Sequence, residues 1–274
     1  MKHILLITAL FMLQALNLSA TEENVTIEGA TGKLSATIQC PEISEKQKIP
    51  LVVLCHGFGG NKNGKIEKML ADELEKNGIA SIRFDFNGHG ESEGKMENMT
   101  VANEIKDAIA VVEYAHSLNY VKSISLSGHS QGGVVAGMAA AALGKKEIKA
   151  LCLMAPAAVL REDAIRGCTF GAKYDPHNPP EVVKLPRGNK IGREYIKIAF
   201  MLDIFGISKD YTGRVCLIHG TGDKIVPFSY SEHYKEIYGV NAELNILENY
   251  DHSFSQDLPN AVRIATEFFK HQLL

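Results

Sequence analysis

Apolar residues fall along this chain in two alternating rhythms. Short unbroken runs such as "IPLVVLC", "IASIRF", "IKALCLM" and "RVCLIHG" lack the polar alternation of a half-exposed strand. That pattern predicts strands buried on both faces of a parallel sheet. Between them lie segments with apolar positions three and four apart. In "GKIEKMLADELEKNG", Ile66, Met69, Leu70 and Leu74 share one helical face, and Asn77-Gly78 supplies a C-terminal stop. Val101, Ile105, Ile109 and Val112 form a second stripe, "QGGVVAGMAAAALG" reads as a helix of small residues, and Ala261 to Phe269 as a final helix. "VTIEGATGKLSATIQCP" alternates instead and predicts two strands joined at Gly29 and Gly32, while "VKSISLSG" and "AELNILENY" complete the strand set.

Strand–helix alternation with short connections predicts an α/β architecture, a mostly parallel central sheet with helices on both faces. The rhythm fails once. Between Pro156 and Thr212 the chain carries Pro176, Pro179, Pro180 and Pro186 among many polar residues. So long an interruption predicts a functional insertion, a cap or lid over about residues 157–212, within one domain running from 21 to 274. Its tail, "REYIKIAFMLDIF", predicts a helix.

The first twenty residues differ from the rest. Lys2, an apolar stretch from Ile4 to Leu16, and small Ser19 and Ala20 follow the order of a signal peptide over residues 1–20. A membrane anchor is the alternative, but the stretch falls short of the roughly 20 residues a span needs, and polar Thr21-Glu22-Glu23-Asn24 follows at once. The expectation is an exported protein, periplasmic or secreted, with no stable membrane association once the leader is removed. A net charge of −3 with both signs mixed gives no basic stripe for nucleic acid. Five cysteines are an odd number. Cys55, Cys152 and Cys216 lie in apolar strands and read as buried thiols, whereas Cys40 and Cys168 are left as a candidate pair. No Cys or His spacing suggests a metal, and no cofactor is expected.

Candidate chemistry centres on Gly128-His129-Ser130-Gln131-Gly132, a G-x-S-x-G pentapeptide directly after a strand and before a helix. A nucleophile on so sharp a turn is strained, and only small neighbours two residues away avoid collision. Ser125 and Ser127 sit inside the strand and lack that geometry. A serine needs a base, itself oriented by a carboxylate. Asp223 in "HGTGDKIVP" and His252 in "NYDHSF" both follow strands, at the sheet edge where ligands bind. The order Ser130, Asp223, His252 is that of one hydrolase fold and of neither common protease order. Each has a plainer alternative: Asp223 as the cap of a following helix, Asp251 as a competing carboxylate poorly placed for its neighbour's Nδ1. The remaining histidines of the mature chain read as structural or solvated. "HGFGG", after the first buried strand, offers the backbone amide of Phe58 as an oxyanion donor beside that of Gln131, with His56 pinning the loop.

In "HGFGG", "GHSQGG", "GTGDKIVP" and "DHSF", in this order and spacing, the sequence resembles the α/β-hydrolase superfamily over its mature length. With the insert beginning "APAAVLREDAIRG" it is most similar to bacterial cinnamoyl (feruloyl) esterases. The resemblance implies an insert that covers the site and holds an aromatic acyl group, with Asp163 and Tyr195 as candidates to meet a phenolic hydroxyl. Phe170 stands where related sequences can carry a polar residue. The implied substrate is a small aromatic ester, free or carbohydrate-linked. Short-chain esterase, thioesterase or small serine peptidase activity fits the same machinery. A non-catalytic binding protein is disfavoured by the intact triad, an oxidoreductase by the lack of G-x-G-x-x-G after the first buried strand, and an epoxide or haloalkane hydrolase by a serine where a carboxylate would stand.

Overall fold

Eight strands form one sheet in the computed structural model, which describes residues 17–18, 21–44, 46–186 and 188–274. They are β1 (Thr21–Glu28), β2 (Lys33–Cys40), β3 (Ile49–Cys55), β4 (Ala80–Phe84), β5 (Val121–His129), β6 (Ile148–Met154), β7 (Arg214–Gly220) and β8 (Ala242–Leu247). Their spatial order is β8-β7-β6-β5-β3-β4-β2-β1. β1 and β2 make an antiparallel hairpin whose second strand joins β4 antiparallel, and the other neighbours are parallel. The leader expected over residues 1–20 lies outside the described residues, apart from the backbone of Asn17–Leu18, which pairs with Ile43–Ser44.

The period of two explains the unbroken apolar runs. In β3, Leu51, Val53 and Cys55 face one core, while Val52 and Leu54 face another. Helices α1 (Lys65–Lys76) and α8 (Leu258–Leu273) cover the second face; α2 (Val101–Ser117) and α3 (Gln131–Glu147) cover the first. The strands β3, β4, β6 and β7 are therefore buried on both faces, whereas β1 and β8 at the two ends of the sheet are largely exposed or half-buried. α1 buries Ile66, Leu70 and Leu74 as the spacing predicts, and Gly78 follows it at φ 76°. α2 is capped by the Thr100 hydroxyl, which accepts from the Asn103 amide. Its buried face is rotated from the expected stripe: Glu104 and Asp107 are buried beside Val101, Ala108 and Val111, while Ile105 and Ile109 are only half-buried.

Between β6 and β7 the chain forms α4 (Val159–Arg166), two small antiparallel pairs (Cys168–Thr169 with Ala172–Lys173, Val182–Lys184 with Lys190–Gly192), α5 (Arg193–Met201) and α6 (Ile204–Ser208). The single helix expected in "REYIKIAFMLDIF" is two. Leu202 is extended, and the Asp203 carboxylate accepts from the Gly206 amide to start α6 afresh. Helix α7 (Ser229–Tyr238) precedes β8. All five cysteines are free thiols, so Cys40 and Cys168 do not pair; Cys40 is fixed on β2 in the sheet and Cys168 lies in the insert.

Candidate active site

Ser130 occupies the turn between β5 and α3 at φ 57° and ψ −125°, a conformation that costs a side-chain-bearing residue on the order of 1–3 kcal/mol. The surroundings hold it there. Its amide donates to the Met154 carbonyl at 2.9 Å, and its carbonyl accepts from Gly133 and Ala157. The flanking glycines are sterically required: a Cβ on Gly128 would lie 2.1 Å from the Gly132 carbonyl oxygen, and one on Gly132 2.2 Å from that of Cys55. The pentapeptide spacing thus reflects the packing of one turn against the end of β3.

Ser130 Oγ lies 2.9 Å from His252 Nε2, and His252 Nδ1 lies 2.7 Å from Asp223 Oδ2. The structure brings together the three side chains from loops after β5, β7 and β8. Asp223 is secured at both oxygens. Its Oδ1 accepts from the amides of Ile225 and Val226, and its Oδ2 is shared with His219 Nε2 at 3.1 Å. Burial alone would raise this carboxyl; the hydrogen bonds from His219 and His252, with the Val226 amide, outweigh it and hold Asp223 well below the usual carboxylate range. It caps no helix. Asp251 points away from the relay and accepts from Ser253 and Ser255, closing the turn that presents His252.

Three histidines read as structural hold this arrangement. His219 is fully buried; its Nε2–H also reaches the Val226 carbonyl and its Nδ1 accepts from the Ser231 hydroxyl at 2.7 Å. His129 donates from Nε2 to the His252 carbonyl at 2.8 Å, and burial together with the neighbouring His252 pushes it down to about 3, so it stays neutral. His56 donates from Nδ1 to the Gly57 carbonyl and accepts from the Phe86 amide, pinning the loop after β3 as expected. That loop sets Gly57 so close that a Cβ there would meet the Ser130 Cβ at 3.0 Å. Neither the Phe58 nor the Gln131 amide donates to an acceptor among the described residues, and both residues line the space around Ser130.

Ser130 stands at the junction of two clefts. One, about 470 Å³, is walled by Gln131, Leu160, Asp163, Thr169, Tyr195 and Val226; the other, about 490 Å³, by Gly57, Gly60, Glu67, Pro186, Asn189 and His252. Phe58, Phe170 and Ile225 border both. Phe170, half-exposed with φ 48°, packs its ring 4.8 Å from that of Phe58. Tyr195 is buried in the first cleft, where its hydroxyl donates to Gln131 Oε1 at 2.8 Å. Asp163 lines the same cleft and pairs with Arg166; burial raises its carboxyl against that pairing. Among the described residues no group of three or more His, Cys, Asp or Glu side chains is placed to hold a metal ion.

Comparison with known proteins assigns the family and the fold. Residues 46–174 match the family model described as serine aminopeptidase, S33. Est1E from Butyrivibrio proteoclasticus, solved with ferulic acid bound, superposes with a TM-score of 0.86 at 32% identity, covering 90% of this chain and 98% of that one. This chain belongs to the α/β-hydrolase superfamily. It is a serine hydrolase similar to the feruloyl esterases. The hydrolase is 29% identical over 192 residues to the mitochondrial palmitoyl-protein thioesterase ABHD10 of Mus musculus, spanning 68% of this chain and 63% of that protein. It is 34% identical over 102 residues to a 31.7 kDa protein of Escherichia coli, a match that spans only about a third of either chain, 36% and 35%.

Proposed function

We propose that this hydrolase cleaves carboxylic esters of hydroxycinnamic, feruloyl-type acids, with Ser130 as nucleophile, His252 as base and Asp223 as its orienting carboxylate. The observation that carries the reading is the continuous hydrogen-bonded relay at the meeting point of two clefts. As Ser130 Oγ attacks the ester carbonyl, His252 Nε2 takes its proton, and Asp223 stabilises the imidazolium through Nδ1. The carbonyl oxygen becomes an oxyanion received by the free amides of Phe58 and Gln131. His252 then gives its proton to the departing alcohol. Water, deprotonated by the same imidazole, releases the acid from Ser130.

The insert is read as the cap that holds the acyl group. A flat aromatic acyl chain fits along the insert-side cleft beside the packed rings of Phe58 and Phe170, with its far end toward Tyr195 and Asp163. Asp163 is an acceptor, which suits a phenolic hydroxyl. Est1E, whose structure contains ferulic acid, supports the same substrate class. The relation to the palmitoyl-protein thioesterase favours thioester cleavage as a second reading, although a long alkyl tail would have to end among Asp163, Arg166 and Lys224. Assaying methyl ferulate, methyl butyrate, a palmitoyl thioester and an aminoacyl amide side by side tests both. Methyl ferulate is expected to give the highest kcat/KM; a preference for the palmitoyl thioester or the amide would replace this reading. The leader, read as an export signal, is tested by locating the full-length chain in fractionated cells.

A further inference from the structure

Behind Ser130 lies a buried polar chain that the mechanism above does not use. Tyr195 is 2% exposed and donates its hydroxyl hydrogen to Gln131 Oε1. The Gln131 side-chain nitrogen donates to Glu104 Oε2 at 2.7 Å and faces the Met99 sulfur at 3.6 Å. Glu104, also 2% exposed, sits on the buried face of α2, where the apolar spacing would place a hydrophobic residue. A buried carboxyl is costly unless hydrogen bonds compensate, so a glutamate here needs a reason.

The chain has a direction. Reversed, the amide would set its oxygen against the Met99 sulfur, which has no proton to give, and against Glu104 whenever that group is ionised, so the nitrogen is held on this side. Its oxygen is therefore turned toward Tyr195 and must be met by a donor. The Tyr195 proton is committed inward, and only lone pairs of its oxygen remain for the cleft. Burial pushes Glu104 up to about 8, opposed by Gln131 and reinforced by Asp107; ionised, it can only accept, and protonated, its carbonyl oxygen still accepts from the amide while the Met99 sulfur disfavours reversal.

We propose that Glu104 is a positioning residue that sets the hydrogen-bonding sense of the acyl cleft: through Gln131 it makes Tyr195 an acceptor, so that the enzyme selects acyl groups ending in a hydroxyl over their methyl ethers. Glu104 touches no substrate. The proposal rests on the reading of the insert-side cleft as the aromatic acyl site. A merely structural Glu104 would affect all esters alike; a polarity-setting one changes the ranking of two that differ only in a donor.

The test is the ratio of kcat/KM for methyl para-hydroxycinnamate over methyl para-methoxycinnamate, with methyl butyrate as a measure of the shared machinery. Tyr195→Phe gives the ratio due to size and to Asp163 without the Tyr195 oxygen. In the wild type the ratio is expected to exceed that baseline about tenfold. Glu104→Leu, which lets the Gln131 amide reverse, brings it down to the baseline, and Glu104→Gln, which keeps an acceptor oxygen, retains it within about threefold. Gln131→Met, with its backbone amide intact, carries the same expectation as Glu104→Leu and serves if that variant does not fold. A ratio that survives both Glu104→Leu and Gln131→Met, or a wild-type ratio equal to the Tyr195→Phe baseline, overturns the proposal. Hydrolysis of methyl butyrate with neither cinnamate turned over would instead overturn the acyl reading, and the proposal with it.

Discussion

The two clefts that meet at Ser130 have nearly equal volumes, about 470 and 490 Å³, and opposite construction. The insert-side cleft is walled by residues of α3, α4 and α5, and two of its polar side chains are tied down, Tyr195 to Gln131 and Asp163 to Arg166. The loop-side cleft is walled by the Gly57–Gly60 turn and by Pro186 and Asn189 of the insert's second hairpin turn. Its buried acid, Glu67, accepts no hydrogen bond from another residue among the described ones. A wall whose donors and acceptors are spoken for discriminates by chemistry; a wall of turns discriminates mainly by size. On this comparison the insert side should choose the acid and the loop side should tolerate many alcohols.

Ser130→Ala removes the element both clefts share, and the largest effect is expected there. Turnover should fall by about 10⁴-fold or more for every ester, whichever half is varied, while chemical denaturation moves little, because the turn and its glycines remain. Activity within tenfold of wild type on any ester would mean that another group attacks. The next largest effect separates the clefts. Leu160, 6% exposed on α4, lines the insert side, and exposed Pro186 lines the loop side. Leu160→Ala should cost about 2–5 kcal/mol of stability and lower kcat/KM for aromatic acyl esters about tenfold while sparing methyl butyrate. Pro186→Ala should stay within about 0.5 kcal/mol and change the ranking of alcohols more than of acids. Equal losses from the two variants across both ester series would erase the distinction.

Most of the framework was legible in the residues because one physical constraint wrote each part of it. Double burial makes strands such as β3 uniformly apolar, and the collision of any Cβ at Gly128 or Gly132 writes the pentapeptide. The positions of Asp223 and His252 follow from strand ends alone. What stayed illegible is the second layer. His219, four residues before Asp223, supports that carboxylate, yet nothing in "HGTGD" separates it from a solvated histidine. Glu104 was hidden for a stronger reason. On a helix, a glutamate flanked by Ile105 and Ile109 reads as solvent-facing, and only packing against α3 reveals that the helix is turned to bury it. The break in "REYIKIAFMLDIF" depends on Asp203 capping a new turn, a choice made by tertiary context rather than by periodicity.

The smallest expected effect compares the two buried acids, one behind each cleft. Burial raises Glu67 to about 7, partly offset by Arg83, and Glu104 to about 8. In the unfolded chain both return to about 4.5. Between those values the native state holds protons that the unfolded state has released, so stability must decline as pH rises, by about 1.4 kcal/mol per pH unit for each group. The contribution is fully present below the unfolded value and is lost as pH climbs through the folded one. Glu67→Gln should therefore flatten the decline up to about pH 7, and Glu104→Gln should flatten it up to about pH 8. Urea titrations at stepped pH should show the two variants diverging by about 1 kcal/mol in the last unit of that range. If both slopes end at the same pH, the acid behind Gln131 is no more deeply desolvated than the one facing the loop-side cleft, and the contrast between a closed wall and an open one loses its electrostatic basis.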